Sequence, residues 1–253
     1  MCGNVGTWVC MKNALIKFLC CFIPFRSVRR RFRRWGKRKP WKNNLIEIVK
    51  KDGRRVRVKR VRGCKFVFRG DNNHVVLYEP LGNLELHVAV SSGVYIELHS
   101  STVYQRKIKV IKSNAETCTN RLVIGENFSS TNFVIIDFCA GTGNVEIGSN
   151  CLFAEGVLWT GDWHTVYDAD TGAVLNNNQD IRIGNHVWVA VNVLIFKGTV
   201  ISDDTVVAAR SLVNKQFNQS NVVIAGVPAK IVKENINWDA CAPHKFAEKN
   251  KLS

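Results

Sequence analysis

Ile183, Val189, Ile195, Ile201, Val207 and Val213 stand six residues apart without a gap, and Ile181, Val187, Val193, Thr199, Thr205 and Ser211 stand two residues before each. A period of six fits neither an amphipathic helix nor a simple hairpin meander. It fits short parallel strands joined by tight turns, three hexads to a coil, stacked so that the inward residues form continuous columns. Upstream the same double register appears in Leu122/Ile124, Phe128/Ser130 and Val134/Ile136, then in Val145/Ile147, Cys151/Phe153 and Val157/Trp159. The predicted coils are 122–139, 145–162, 181–198 and 199–216, with an exposed cap beyond. Between 45 and 112 the alternation persists in VRVKRV, FVF, LELHVAV and VYIEL while the period drifts, which reads as earlier, irregular coils.

The fold class is therefore all-β, a parallel β-helix solenoid with a basic, partly helical N-terminal segment and a short C-terminal cap. Four regions follow: 1–42, a basic amphipathic membrane-surface segment; 43–120, irregular coils; 121–235, regular hexads interrupted by a loop at 163–180; and 236–253, a tail.

The net charge of +16 is concentrated at one end, because residues 1–70 hold 22 Lys and Arg against Glu47 and Asp52 only, and the rest of the chain is mildly acidic. Residues 14–25, ALIKFLCCFIPF, are too short an apolar run to cross a membrane, which needs roughly 20 residues. An arginine cluster follows where the cleavage site of a signal peptide would stand. In 26–42 an apolar stripe of Val28, Phe32 and Trp35 is surrounded by arginines and lysines. Together, residues 14–39 suit the surface of an anionic membrane leaflet. Nucleic acid is the disfavoured rival, since phosphate binding gives no reason for the adjacent apolar run. Localisation is expected in the cytoplasm, at the inner face of the cytoplasmic membrane. The nine cysteines form no C-x-x-C pair, and their spacing matches neither a disulfide framework nor a zinc site. No metal is expected.

The segment IRIGNHVWVAVNVLIFKGTVISDDTVVAARSLVNKQ, followed by IAGVPAKIV, resembles the C-terminal half of hexapeptide-repeat acyltransferases, especially those of bacterial capsule, O-antigen and lipooligosaccharide gene clusters. The resemblance covers about 120 to 235. It implies a left-handed helix, an exception to the usual right-handed crossover, as well as acetyl-CoA as acyl donor, a glycan or other sugar-containing acceptor, and a homotrimer.

Between Asp162 and Ile181 the repeat is suspended and then resumes in phase. A long excursion from an economical solenoid is a place to look for function. The resembled family carries a catalytic histidine at the base of such an excursion, a position held here by His164. A sugar hydroxyl attacks a thioester only as its proton is removed, and imidazole titrates in the right range to take it. Asp162, Asp168 and Asp137 are the alternative carboxylates for orienting that imidazole. His186, in GNHVWV, is a weaker claimant. The resemblance places the coenzyme along Trp188, Ala190 and Ala208, with Arg210, Lys215 and Lys230 available to its phosphates.

The expected activity is acetyl-CoA-dependent O-acetylation of a sugar hydroxyl on a cell-surface glycan or its lipid-linked precursor, by direct transfer with no covalent role for Cys139 or Cys151. The alternatives are N-acetylation of an amino sugar and a catalytically silent binding solenoid.

Overall fold

The computed structural model describes residues 42–102, 105–112 and 118–251. The described residues belong to one compact unit, 42–253. The membrane-surface expectation for 14–39 lies outside them. Among the described residues no helix is long and apolar enough to cross a membrane.

The chain winds as a left-handed parallel β-helix with three faces. Each regular coil visits them in turn, as in Val145–Ile147 on face one, Leu152–Phe153 on face two and Gly156–Trp159 on face three. Among the described residues face one holds nine strands, face three seven and face two six. The hexads stack in register, with Ile147 beside Ile183 and Ile201 beside Phe217 on face one, Phe153 beside Val189 on face two, and Leu158 beside Ile195 on face three. These side chains are at most 4% exposed. Each aliphatic one buried contributes about 1.5–3 kcal/mol.

One hexad points the other way from its sequence reading. Gly156 and Leu158 face inward, whereas Val157 and Trp159 are half-exposed on the outside. The turn Ala154–Glu155 is one residue shorter than the period requires, and in a strand a one-residue slip exchanges the two faces. Trp159 accordingly packs against Phe196 on the outer surface, with ring centroids 5.4 Å apart.

In the irregular coils the strands Leu45–Val49, His74–Tyr78 and Val94–Leu98 lie on face one, while Cys64–Phe68, Leu84–Val90 and Arg106–Ile111 lie on face three. Among the described residues the first strand of face two is Ser129–Ser130, and the upstream coils, where the hexads drift, carry their described strands on the other two faces. At the other end the helix runs further than the hexads suggest. Gln216–Phe217 and Val223–Gly226 add most of another coil, Ala229–Lys233 turns back antiparallel on face two, and a helix follows at Pro243–Lys251.

The corner between faces one and two carries a column of left-handed residues, Asn127, Asn150, His186, Asp204 and Asn221, with φ between 52° and 58°. Asn and Asp tolerate this conformation because their short polar side chains bond locally. His186 occupies the same structural slot.

Candidate active site

The chain leaves face three after Trp159 and returns on face one at Ile181, which pairs with Val145. The neighbouring bond from Asn144 N to Asp180 Oδ1 spans 36 residues, whereas an uninterrupted coil step spans 18. One coil's length is therefore displaced outward at the corner between faces three and one, as the phase of the hexads requires.

The excursion is a small hairpin. Tyr167 and Val174 form an antiparallel bridge, and Leu175 N donates to Val166 O at 2.8 Å. At its tip Asp168 Oδ1 accepts from Thr171 N, Thr171 Oγ1 and Asp170 N. These bonds, led by Thr171 N, hold its carboxyl below the usual range. Asp168 thus organises the tip, bonding within its own turn.

The neck is pinned from both sides. Gln179 N donates to Thr160 O, and Gly198 N to Asp180 O. The Asn178 carboxamide sits over Gly141 and Gly161 and donates to Phe138 O at 3.3 Å. Asp162 Oδ2 accepts from Lys197 Nζ at 2.5 Å and from Asn176 Nδ2 at 2.8 Å. The Lys197 bond leads in holding the Asp162 carboxyl below its ordinary value. Asn176 Nδ2 also reaches His164 O, and Asn176 Oδ1 accepts from Val166 N, each at 2.8 Å.

His164 is exposed, and among the described residues its ring has no hydrogen-bond partner. It lines a cavity of about 370 Å³ together with Cys118, Gly141, Thr142, Trp163 and Asn178. Of the three candidate carboxylates, Asp162 and Asp168 make the bonds just described. Asp137 is 7% exposed and accepts from Cys139 N at 2.8 Å, and burial raises its pKa. Burial also pushes the Cys139 thiol up to about 11 and the Cys151 thiol up to about 12, so neither is a thiolate at neutral pH. Among the described residues no group of three or more metal-ligating side chains occurs.

The residues expected along the donor separate by corner. Trp188 and Ala190 lie on one rung of face two and Ala208 on the next, linked by the pairing of Trp188 with Val206 and by Ala190 N to Val207 O. Lys230 is on the antiparallel strand that closes this face. Arg210, at φ 58°, turns the corner from face two to face three. Lys215 stands between faces three and one, with its Nζ 5.2 Å from the Phe217 ring centre. His186 bonds Asp204 through Nδ1 at 2.8 Å and stacks on Trp238, whose Nε1 donates to His186 O. The ring of Trp238 is also 6.0 Å from that of Trp188.

Lys197, Asn176 and Asn178 were missed in the sequence, although the signal was present. Phe196 stacks directly on Trp159, so Lys197 lies one coil above the start of the neck once the hexads are written in register.

Across 181 residues, 69% of this chain and 71% of its relative, the sequence is 33% identical to the polysialic acid O-acetyltransferase of Neisseria meningitidis. The chain belongs to the hexapeptide-repeat O-acetyltransferases, enzymes that take their acyl group from acetyl-CoA. It is also 32% identical to the polysialic acid O-acetyltransferase of Escherichia coli O1:K1 / APEC over 145 residues, a match that spans 57% of this chain and 44% of that one. The crystal structure of the polySia-specific acetyltransferase NeuO shares the fold with a TM-score of 0.64 at 23% identity, over 84% of this chain and 95% of that one. No family model matches the chain.

Proposed function

We propose that the chain transfers acetyl from acetyl-CoA directly to a hydroxyl of a cell-surface glycan or its lipid-linked precursor, with His164 as general base. The observation that carries this reading is His164 itself, held on a pinned neck with a ring free of partners among the described residues, at the wall of a cavity. An imidazole so placed accepts the proton of a sugar hydroxyl as its oxygen attacks the thioester carbonyl. The C–S bond then breaks, and the coenzyme thiolate leaves with the proton. Asp162, Asp168 and Asp137 are bonded elsewhere, so an acceptor or a neighbouring chain orients the ring in the working complex.

The donor lies along Trp188, Ala190 and Ala208 of face two, with Arg210 and Lys230 of the same chain toward its phosphates and Lys215, which shares the corner of His164, reaching it from the opposite wall of the cleft. Within one chain that face does not border the corner that carries His164. A cleft containing both therefore takes its second wall from another copy, which supports a homotrimer. The hairpin suits such a contact, since Val166, Tyr167, Val174 and Leu175 are each 49–63% exposed. The basic segment 14–39 brings the enzyme to an anionic membrane surface, where a lipid-linked acceptor resides.

Radiolabelled acetyl-CoA tests this reading with two acceptor probes, polysialic acid oligomers and a methyl galactoside. Label should appear on one of them as an alkali-labile ester. Alkali-stable label on an amino-sugar probe included beside them would instead indicate N-acetylation, and no transfer to cell-surface glycan extracts would favour the silent solenoid. Mixing inactive His164→Ala and Trp188→Ala chains should restore part of the activity if the cleft is shared between copies.

A further inference from the structure

We propose that Lys197 is a positioning residue for His164, acting through Asp162 and Asn176; the proposal rests on the general-base reading of His164. Lys197 follows directly on the strand Val193–Phe196 and precedes Gly198, whose N bonds Asp180 O, so its backbone belongs to the wall of the helix. Its side chain is 20% exposed, and its ammonium reaches both strands of the neck, Asp162 Oδ2 before His164 and Asn176 O at 2.9 Å after it. From there Asn176 grips the backbone on each side of the histidine, through His164 O and Val166 N. The path from the rigid coil to the base is thus two residues long and runs entirely through hydrogen bonds.

The chemistry of the clasp separates its effect on rate from its effect on stability. Asp162 is exposed, so its carboxylate is rehydrated when Lys197 is lost, and half-exposed ion pairs contribute little to folding. A base displaced by about 1 Å, by contrast, costs on the order of a hundredfold in rate. Lysine suits the task, with three donors on a compact ammonium. The Asp162 carboxyl titrates below its ordinary value and the clasp persists through the neutral range, so its loss should lower the height of the pH–rate profile without moving the limb that reports the imidazole.

The test uses the full chain carrying Lys197→Met, Lys197→Arg, Asp162→Asn and the Lys197→Met/Asp162→Asn pair, beside His164→Ala. Acetyl-CoA and the glycan probe that accepts label serve as substrates, and amide hydrogen exchange at Val166 is followed in parallel. Lys197→Met should lower kcat roughly 10–100-fold, leave KM for acetyl-CoA within about twofold, keep the melting temperature and speed exchange at Val166. Lys197→Arg should recover most of the rate and the protection. The double variant should be no slower than the slower single one, because both break one linkage. Wild-type kcat in Lys197→Met while His164→Ala is inactive overturns the proposal, and so does a raised KM for acetyl-CoA at unchanged kcat, which would mark a coenzyme contact. If His164→Ala stays active, the general-base reading falls and the positioning role falls with it. In that case Val166 exchange still decides whether Lys197 holds the neck.

Discussion

Gly161→Ala should strike the neck of the excursion at the Asn178 carboxamide. Gly161 is buried, and a Cβ there would collide with all three carboxamide atoms of Asn178, which is seated between Gly161 and Gly141. To relieve the overlap Asn178 must leave, breaking its bond to Phe138 O. Leaving that carbonyl unpaired costs about 1–3 kcal/mol, and residual overpacking where the side chain moves only partly costs about 1–3 kcal/mol more. A total of about 2–6 kcal/mol lowers the melting temperature by roughly 4–24 °C for a domain of this size. Because Asn178 lines the same cavity as His164, acetyl transfer should fall as well. Gly172→Ala is the control, since its Cβ meets nothing within 4 Å and only its φ of 71° resists, at a cost of about 1–2 kcal/mol. Calorimetry with a double-mutant cycle decides the matter. In an Asn178→Ala background Gly161→Ala should lose most of its effect, and an undiminished penalty there would refute the contact argument.

Asp137 gives a pH test. Burial raises its folded pKa above the unfolded value near 3.8, so the folded state binds its proton more tightly, and that contribution is lost as pH rises through the folded value. Denaturant melts should show Asp137→Asn at least as stable as the native chain at pH 7, with the difference shrinking toward pH 4. His186→Asn should keep its left-handed corner and most activity, whereas His186→Val should lose about 1–2 kcal/mol by thermal melting; greater loss of activity in His186→Asn than in His164→Ala would move the base. Deleting residues 1–41 should abolish sedimentation with anionic vesicles and leave transfer to a small soluble acceptor intact. Binding of the intact chain to these vesicles should weaken with salt, the Debye length being about 8 Å at physiological strength.

The hexads made the regular coils legible because every inward position repeats the same demand for a small or aliphatic side chain. Ile183, Val189 and Ile195 are buried where their spacing puts them, and the excursion has the length their phase requires. The exception, Gly156 and Leu158, shows the limit, since one missing residue in an outer turn reverses a strand with no change in composition. The site was legible in part. His164 was marked by its place at the break, but its surroundings depend on contacts between coils. Asp162 meets Lys197 35 positions on, and His186 meets Trp238 52 positions on. Such contacts become readable only after the coils are stacked.

The central claim is that His164 removes the acceptor proton, and rapid-quench single-turnover acetyl transfer by His164→Ala at saturating acetyl-CoA tests it most directly. The rate of the chemical step should fall by at least about a hundredfold, with coenzyme A affinity and melting temperature unchanged. The residual rate should lose the pH dependence of the native chemical step. A chemical step within a few-fold of the native rate, with the same pH dependence, would contradict the assignment of the base.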